Sequence, residues 1–530
     1  MNMRYVTAWV AALVCAGLGS SSLLATLAQG GTVEVTLTVD WGVLQTPISP
    51  ALVGASVSAD HQGNGMAVNG IAASAVASTA ALRAKMLRFP DDISQSYHWK
   101  SAGVEGRLST LEFWSLSDDA DVPNTMVTVN MANGAPDEAA LWVAMANQPP
   151  GRPNTTTRPT QPFDIGYWML GEDIRDMPVK YPTAQAYATA ALENASLMRA
   201  ASPEIKIGVW LADGTSPDGA LWNSALLTNI KLFDPGQNAT AGQRLIDFVA
   251  VSVDVEVPNR PLTDAALYPS LYGYAAAHAD QVVLAAEQVV SSVLRNELPI
   301  AVYRYAIDFG SEGWNQDKAD SLGTAIALTG MLNAFARHPK VFTAIYAGLN
   351  RDGFGALLQV PSAFDVAAES RFALNPFGQV FASFGQFLTG SSLGVDLQGA
   401  GASAAKAFYK APPIGRMPST ERVGLLSVEA ALDAQAGQMA LFVASRSTAD
   451  RVVARVVVAN AAPALVNASM VANTLGATAL STDSYSGILH LEPHSEVRNL
   501  AFEEAPDGSY IFELTIPRNS ISLFTFSVGF

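Results

Sequence analysis

Six acidic residues fall in three pairs along this chain: Asp91 and Asp92 in "LRFPDDISQSYHWK", Glu172 and Asp173 in "GYWMLGED", and Asp254 and Glu256 in "DFVAVSVDVEV". Each pair lies at the end of a short run of β-branched, aromatic or other apolar residues, where a strand gives way to a loop. A further run, "LPIAVYRYAID", places Arg304 between Tyr303 and Tyr305. If these strand ends converge, so many carboxylates cannot all ionise side by side without a cation or strongly shifted pKa values. Three arrangements would satisfy that constraint. Arg304 can form a salt-bridge network that plugs the space, the carboxylates can ligate a hard cation such as calcium, or they can point apart into water. Asp308 and Glu312, just beyond the same run, could present a carboxylate from a loop, although a solvated loop is the simpler account.

What would bring these ends together is a barrel. From Ala51 to about Gly348 short strand-like runs (52–58, 85–90, 125–130, 164–171, 206–211, 248–253, 299–305 and 341–348) alternate with Ala-rich helical stretches such as 137–147, 183–201 and 319–338. Repeated β-α units predict a parallel sheet, and eight of them predict a closed (β/α)8 TIM barrel with its functional groups at the C-terminal strand ends. An open doubly wound sheet is the alternative. After about Ala400 the texture changes to alternating runs (439–446, 451–460, 508–517, 520–528) without long helices, which predicts an antiparallel β-sandwich. The alternating stretch 31–40 is expected to pair with that sandwich. The division expected is therefore a signal peptide over 1–28, an N-terminal strand over 29–45, a barrel over 46–400 and a sandwich over 401–530.

Composition narrows the partners. Apolar residues make up 49% and charged residues 15% of 530 positions, enough for a large buried core. Lys and Arg total 31 against 47 Asp and Glu, a formal charge of −16 without any basic cluster, which speaks against nucleic acid and anionic membranes as partners. Arg4, an apolar run from Tyr5 to about Leu18 and small residues before Ala28 have the layout of a secretory signal, with an uncleaved anchor as the alternative. The one cysteine, Cys15, lies inside that segment, so no disulfide framework is expected. Sequons begin at Asn154, Asn194, Asn238 and Asn467. No Gly-rich phosphate loop, G-x-S-x-G elbow or zinc-spaced Cys/His cluster is present, and no cofactor or metal is assigned. His98 follows Tyr97 near a strand end, and His338, at a helix end where it favours the dipole, is read as structural.

These strand-end motifs, taken in order, resemble one family: the retaining α-L-arabinofuranosidases among (β/α)8 glycosidases with a C-terminal β-sandwich. "TPISPALVGASVS" is similar to the family's I-S-P-x-L-x-G entry, and "LRFPDDISQSYHWK" to its R-x-P-G-G-N-x-x-x-x-Y-x-W-K. "TMVTVNMANGAPDEAALWVAMAN" resembles its third β-α unit. "GYWMLGED" resembles Y-W-x-x-G-N-E, "DFVAVSVDVEV" resembles D-x-x-S-x-H-x-Y, and "LPIAVYRYAID" resembles P-I-x-x-T-E-W/Y. The resemblance covers most of the chain beyond the signal. Arg88, Pro90, Tyr97, Trp99, Tyr167, Trp168, Gly171 and Ser252 match it.

The chemical positions do not match. A retaining glycosidase needs two carboxylates about 5 Å apart, an acid/base and a nucleophile. The resemblance places the acid/base on Asp173, one methylene shorter than the family's glutamate and preceded by Glu172, and the nucleophile on Arg304. A guanidinium is always protonated and cannot attack an anomeric carbon. The family's Gly-Gly-Asn becomes Asp91-Asp92-Ile93, and its His and Tyr become Asp254 and Glu256. Tyr97, Trp99, Trp168, Tyr303, Tyr305 and Trp314 could stack on sugar faces or pack the rim. The expectation is a secreted, catalytically degenerate glycosidase-like protein that binds carbohydrate or serves as an extracellular structural protein. The alternative is an active glycosidase using altered carboxylates.

Overall fold

A computed structural model describes residues 31–527 apart from 43–45, 61–65, 68–69, 92, 103–105, 148–161, 235, 237–243, 295–297, 311–313, 316–317, 351–355, 360–371, 388, 401–405, 448–450, 461–468, 477–491 and 500–502. The signal segment, Asp92, Glu312 and the sequon asparagines 154, 238 and 467 therefore lie outside the described residues. Asn194 is inside them. It is buried in a helix with its amide donating to the Ala190 carbonyl at 2.9 Å, which leaves no room for a glycan in the folded chain.

Eight parallel strands close into a barrel. They are β1 Val53–Ser56, β2 Met86–Phe89, β3 Thr125–Val129, β4 Tyr167–Leu170, β5 Lys206–Trp210, β6 Phe248–Glu256, β7 Ile300–Asp308 and β8 Val341–Tyr346. Each pairs with the next, and β8 returns to β1 with Tyr346 opposite Ala55, so the open-sheet alternative does not hold. The strands are short apolar runs because both faces are covered, one by the barrel interior and one by helices. Gly208 illustrates the tightness: a Cβ there would stand 2.1 Å from the Phe248 ring.

The helices follow the strands in turn: α1 Ala73–Leu82, α2 Thr110–Asp119, α3 Pro136–Asn147, α4 Ala184–Ala201, α5 Pro217–Phe233, α6 Asp264–Leu294, α7 Leu322–Ala336 and, after β8, α8 Pro376–Phe387. Their starts are written in the sequence. Ser109 and Glu112 form a reciprocal capping box, and Thr183, Ser216 and Ser321 each accept a backbone N–H. Every residue of α7 is buried, which an amphipathic surface helix would not allow. The reason is a second layer over it: Asn333 donates to Ser427 at 3.1 Å and Arg337 reaches Glu429 at 2.9 Å, both on the C-terminal sandwich. His338 ties α7 to α6, lying 3.1 Å from Asp280 and 3.4 Å from Glu287. Burial opposes its charge, but the bonds to Asp280 and Glu287 outweigh that and raise its pKa to about 9.

The sandwich has its own alternating core of Val33, Val35, Leu37, Val39, Val452, Val456, Leu441 and Phe526 among others. Thr32–Asp40 runs parallel to Arg451–Ala459 and antiparallel to Ser391–Gly399. Ser391–Gly399 thus joins the sandwich ahead of position 401. It bends between the sheets, pairing Ser391 to Leu393 with the strand Leu426–Asp433 and Gly394 to Gly399 with Thr32–Asp40. Among the described residues, no helix is long and apolar enough to cross a membrane.

Candidate active site at the barrel mouth

A bulge in β7 decides what faces the mouth. Val302 pairs with Val251 but Arg304 pairs with Ser252, so Tyr303 is an extra residue in the ladder. The same surplus recurs on the β8 side, where two residues of β8 span three of β7. Such a bulge breaks the in–out alternation and re-aims side chains. Tyr303 lies over the buried guanidinium of Arg88 at 5.0 Å, and Arg304 also points to the mouth.

Arg88, on β2, organises the barrel interior. Its Nε donates to Thr128 at 2.9 Å, and one terminal nitrogen donates to Ser56 at 3.1 Å and Asp91 at 3.2 Å. The other terminal nitrogen donates to the Glu172 carboxylate, which also accepts from the Ser94 hydroxyl. Gln95 donates to the Glu172 carbonyl. Burial pushes the Glu172 carboxyl above the usual range, while Arg88 and Ser94 pull it back. Asp91 is 6% and Glu172 also 6% exposed, and both are engaged by Arg88 beneath the mouth.

Asp173 is different. Gly171 (φ 71°) and Asp173 (φ 44°) both adopt left-handed backbone, and the turn buries Glu172 while leaving the Asp173 side chain 42% exposed. A Cβ on Gly171 would lie 2.8 Å from Met131, so only glycine fits this turn. The Tyr303 hydroxyl donates to Asp173 at 3.1 Å and accepts from the Trp210 indole at 3.2 Å. Arg304 stands between two acids, with Nε 3.3 Å from Asp254 and a terminal nitrogen 4.0 Å from Asp173. Burial opposes its charge, but Asp254 and Asp91 outweigh this and raise its pKa. Of the acids singled out in the sequence, Asp254 and Asp173 are the ones that flank the Arg304 guanidinium. Among the described residues, no group of three or more acids, histidines or cysteines is placed to hold a metal ion.

Burial raises the Asp254 carboxyl from 3.8 to about 6, with Arg304 pulling the other way. The folded state therefore binds more protons than the unfolded chain between those values, so this group's contribution is greatest below pH 3.8 and is lost as pH rises through about 6. Relative to an Asp254→Asn variant, the wild type is expected to lose thermal stability as pH rises from 4 to 7. Melting temperatures of both proteins across that range check it; a pH-independent difference would refute it.

Most of the aromatics expected at the mouth belong to the packing outside the barrel. Trp168 is fully buried, bonds to the Ile165 carbonyl at 3.0 Å and meets Trp142 of α3 edge-on at 5.7 Å. Tyr97 is 1% exposed between Phe89 and Trp142, with its hydroxyl on the Leu108 carbonyl. Trp99 stacks on Trp142 and bonds to the Glu138 carbonyl. Tyr305 packs on Phe335 and Tyr346. Glu256 also leaves the group, because β6 and β7 run on past the barrel as a ribbon that pairs Glu256 with Asp308; there Glu256 is exposed and bonds to Arg416 at 2.8 Å. Ser56, Ser94, Gln95, Thr128 and Trp210 were missed by sequence reasoning, although Ser94 and Gln95 lie within the "FPDDISQSY" motif.

No protein-family model matches the sequence, and no curated protein matches it. Solved structures do. The chain is similar to an α-L-arabinofuranosidase from Thermotoga maritima, solved as an arabinose complex, at 15% identity and a TM-score of 0.67, covering 93% of this chain and 99% of that one. It is similar to the GH51 arabinofuranosidase from Xanthomonas axonopodis pv. citri at 14% identity and a TM-score of 0.71, covering 93% and 100%. A Paenibacillus polymyxa xyloglucanase from glycoside hydrolase family 44 matches at 13% identity and a TM-score of 0.58, covering 94% and 100%. The fold is thus that of glycoside hydrolases built from a (β/α)8 barrel and a β-sandwich. More particularly, it is the arabinofuranosidase arrangement of the two, over nearly the whole chain.

Proposed function

We propose that this protein is a catalytically degenerate relative of the arabinofuranosidase-type glycosidases, exported from the cell, that binds carbohydrate without cleaving it. One observation carries the reading: the Arg304 guanidinium occupies the space between Asp173 and Asp254, at 4.0 and 3.3 Å. Double displacement requires a free carboxylate nucleophile about 5 Å from the acid/base. Here the resemblance puts a permanent cation at the nucleophile position, and Glu172 is engaged by Arg88 and Ser94. The leader-like residues 1–28 support export.

The purified protein is expected to show no turnover of aryl α-L-arabinofuranoside or of a panel of other aryl glycosides, and an Asp173→Ala variant is expected to be indistinguishable from it. One observation favours a second reading, that of an active enzyme with altered carboxylates. Asp254 holds its proton up to about 6, as a general acid must, and the half-exposed Asp173 lies across Arg304 from it. Turnover that disappears in both Asp173→Ala and Asp254→Asn would establish the second reading and remove the first.

A further inference from the structure

Beyond the mouth, the β6–β7 ribbon forms one wall of a cavity of about 350 Å³ lined by Glu256, Val257, Pro258, Asn259, Asp308, Gly310, Gly415 and Arg416. We infer that this cleft is a saccharide-binding site, separate from the mouth, with Trp314 as its stacking platform. The inference rests on the carbohydrate-binding reading above and assigns that binding to a place.

The opposite wall is a turn in the connection between the sandwich strands Ser391–Gly399 and Leu426–Asp433. Ile414 and Met417 exchange backbone hydrogen bonds of 3.0 and 2.8 Å with both side chains buried, which fixes the turn between them. Gly415 has φ 57°, and a Cβ there would meet the Pro258 ring at 2.4 Å. The turn is therefore pressed against the barrel loop at a position where only glycine fits. The cleft between them is preformed, and its volume falls in the range of small-ligand sites, about 300–1,000 Å³.

Its chemistry selects the ligand class. Two carboxylates, Glu256 and Asp308, face one guanidinium, Arg416, which already bonds to Glu256 at 2.8 Å. The balance is acidic, so phosphate-bearing ligands would be repelled. Calcium needs six to eight oxygen ligands, and the cleft offers two carboxylates with a cation beside one of them. A neutral polyhydroxyl ring fits: its hydroxyls donate to the carboxylates and accept from Arg416 and the Asn259 amide, while Val257 and Pro258 meet its C–H faces.

Trp314 supplies the aromatic face. Its side chain is 69% exposed, unusual for so large an apolar group. The chain beside it is anchored near the cleft, because the next residue, Asn315, is 1% exposed and its amide donates to the Arg260 carbonyl at 2.8 Å and accepts from the Leu262 N–H at 3.3 Å. Trp314 follows the wall residue Gly310 by four positions, so the two Cα atoms lie within about 14 Å, a span that a short oligosaccharide covers.

Affinity electrophoresis in gels containing soluble arabinan, arabinoxylan or xyloglucan tests this, with Trp314→Ala and Arg416→Ala, both at exposed positions, against Arg304→Ala at the mouth. Retardation by at least one polysaccharide is expected. It should fall roughly tenfold or more in apparent affinity for Trp314→Ala and Arg416→Ala and stay unchanged for Arg304→Ala. Retardation lost only in Arg304→Ala would overturn the cleft assignment while leaving the carbohydrate-binding reading intact. No retardation of the wild type by any of the three would overturn both, as would a calorimetric response of the wild type to calcium that Arg416→Ala leaves unaltered together with no response to polysaccharide.

Discussion

An Arg88→Leu variant is expected to lose about 3–5 kcal/mol of folding stability. The guanidinium is fully buried and bonds to Ser56, Thr128, Asp91 and Glu172, so its removal leaves two carboxylates inside the barrel without a counter-charge. The loss has a sign in pH. Without Arg88, only the Ser94 hydroxyl still opposes burial at Glu172 and its carboxyl rises further, so the deficit should be largest above neutrality and shrink as the medium is acidified and Glu172 takes up a proton. Urea unfolding at pH 5 and pH 8 measures both effects. A paired Arg88→Leu/Glu172→Leu variant should recover part of the deficit, since it removes charge and counter-charge together. A single variant within 1 kcal/mol of the wild type at both pH values would mean that the network does not hold the barrel interior together.

Trp168→Ala is expected to cost about 3–5 kcal/mol as well, for the unrelated reason that it empties the space under Trp142. The side chain has no exposed surface, and its indole nitrogen is already used on the Ile165 carbonyl. Below its unfolding temperature the variant should be retarded by polysaccharide as the wild type is. Thermal melts and affinity gels on the same preparation separate the two properties. Selective loss of retardation with an unchanged melt would return Trp168 to the ligand face. Trp314→Ala should behave in the opposite way, because an exposed indole contributes little to the core.

The barrel was legible in the sequence because a parallel strand covered on both faces is written as an unbroken apolar run, and runs such as "TMVTV" and "FVAVSV" have that form. Helix starts were legible for a local reason, since Ser109, Thr183, Ser216 and Ser321 act on a backbone N–H within the next turn. Side-chain direction was less so. Trp168 matches a functional motif, yet it points outward onto Trp142, and nothing in a motif of residue types states which side of the strand a residue faces. The β7 bulge was invisible because Tyr303 looks like any aromatic strand residue, and only pairing with both neighbours exposes it as surplus. Glu256 is hard to place from sequence because the unbroken apolar run of β6 stops at 253, while "VDVE" continues the strand in the alternation of a two-stranded ribbon. The cleft was missed because its two walls come from positions 256–259 and 415–416, which no local pattern connects.

The pairing of Thr32–Asp40 with Arg451–Ala459 sets an order on the birth of the molecule. The two strands begin 419 residues apart, as the contact between Thr32 and Arg451 records. At about 5–20 residues per second, synthesis leaves the first strand waiting roughly 20–80 s for this partner. Until Ser391–Gly399 has been made, "TVEVTLTVD", an alternating segment with a fully apolar face, has both edges open, and the edge that meets Arg451–Ala459 stays open longest. The barrel can close behind it, but the sandwich cannot close until the last quarter of the chain has been made. The newborn chain is thus most exposed to mispairing at its oldest end, and a holding factor that shields an extended apolar strand would act there first.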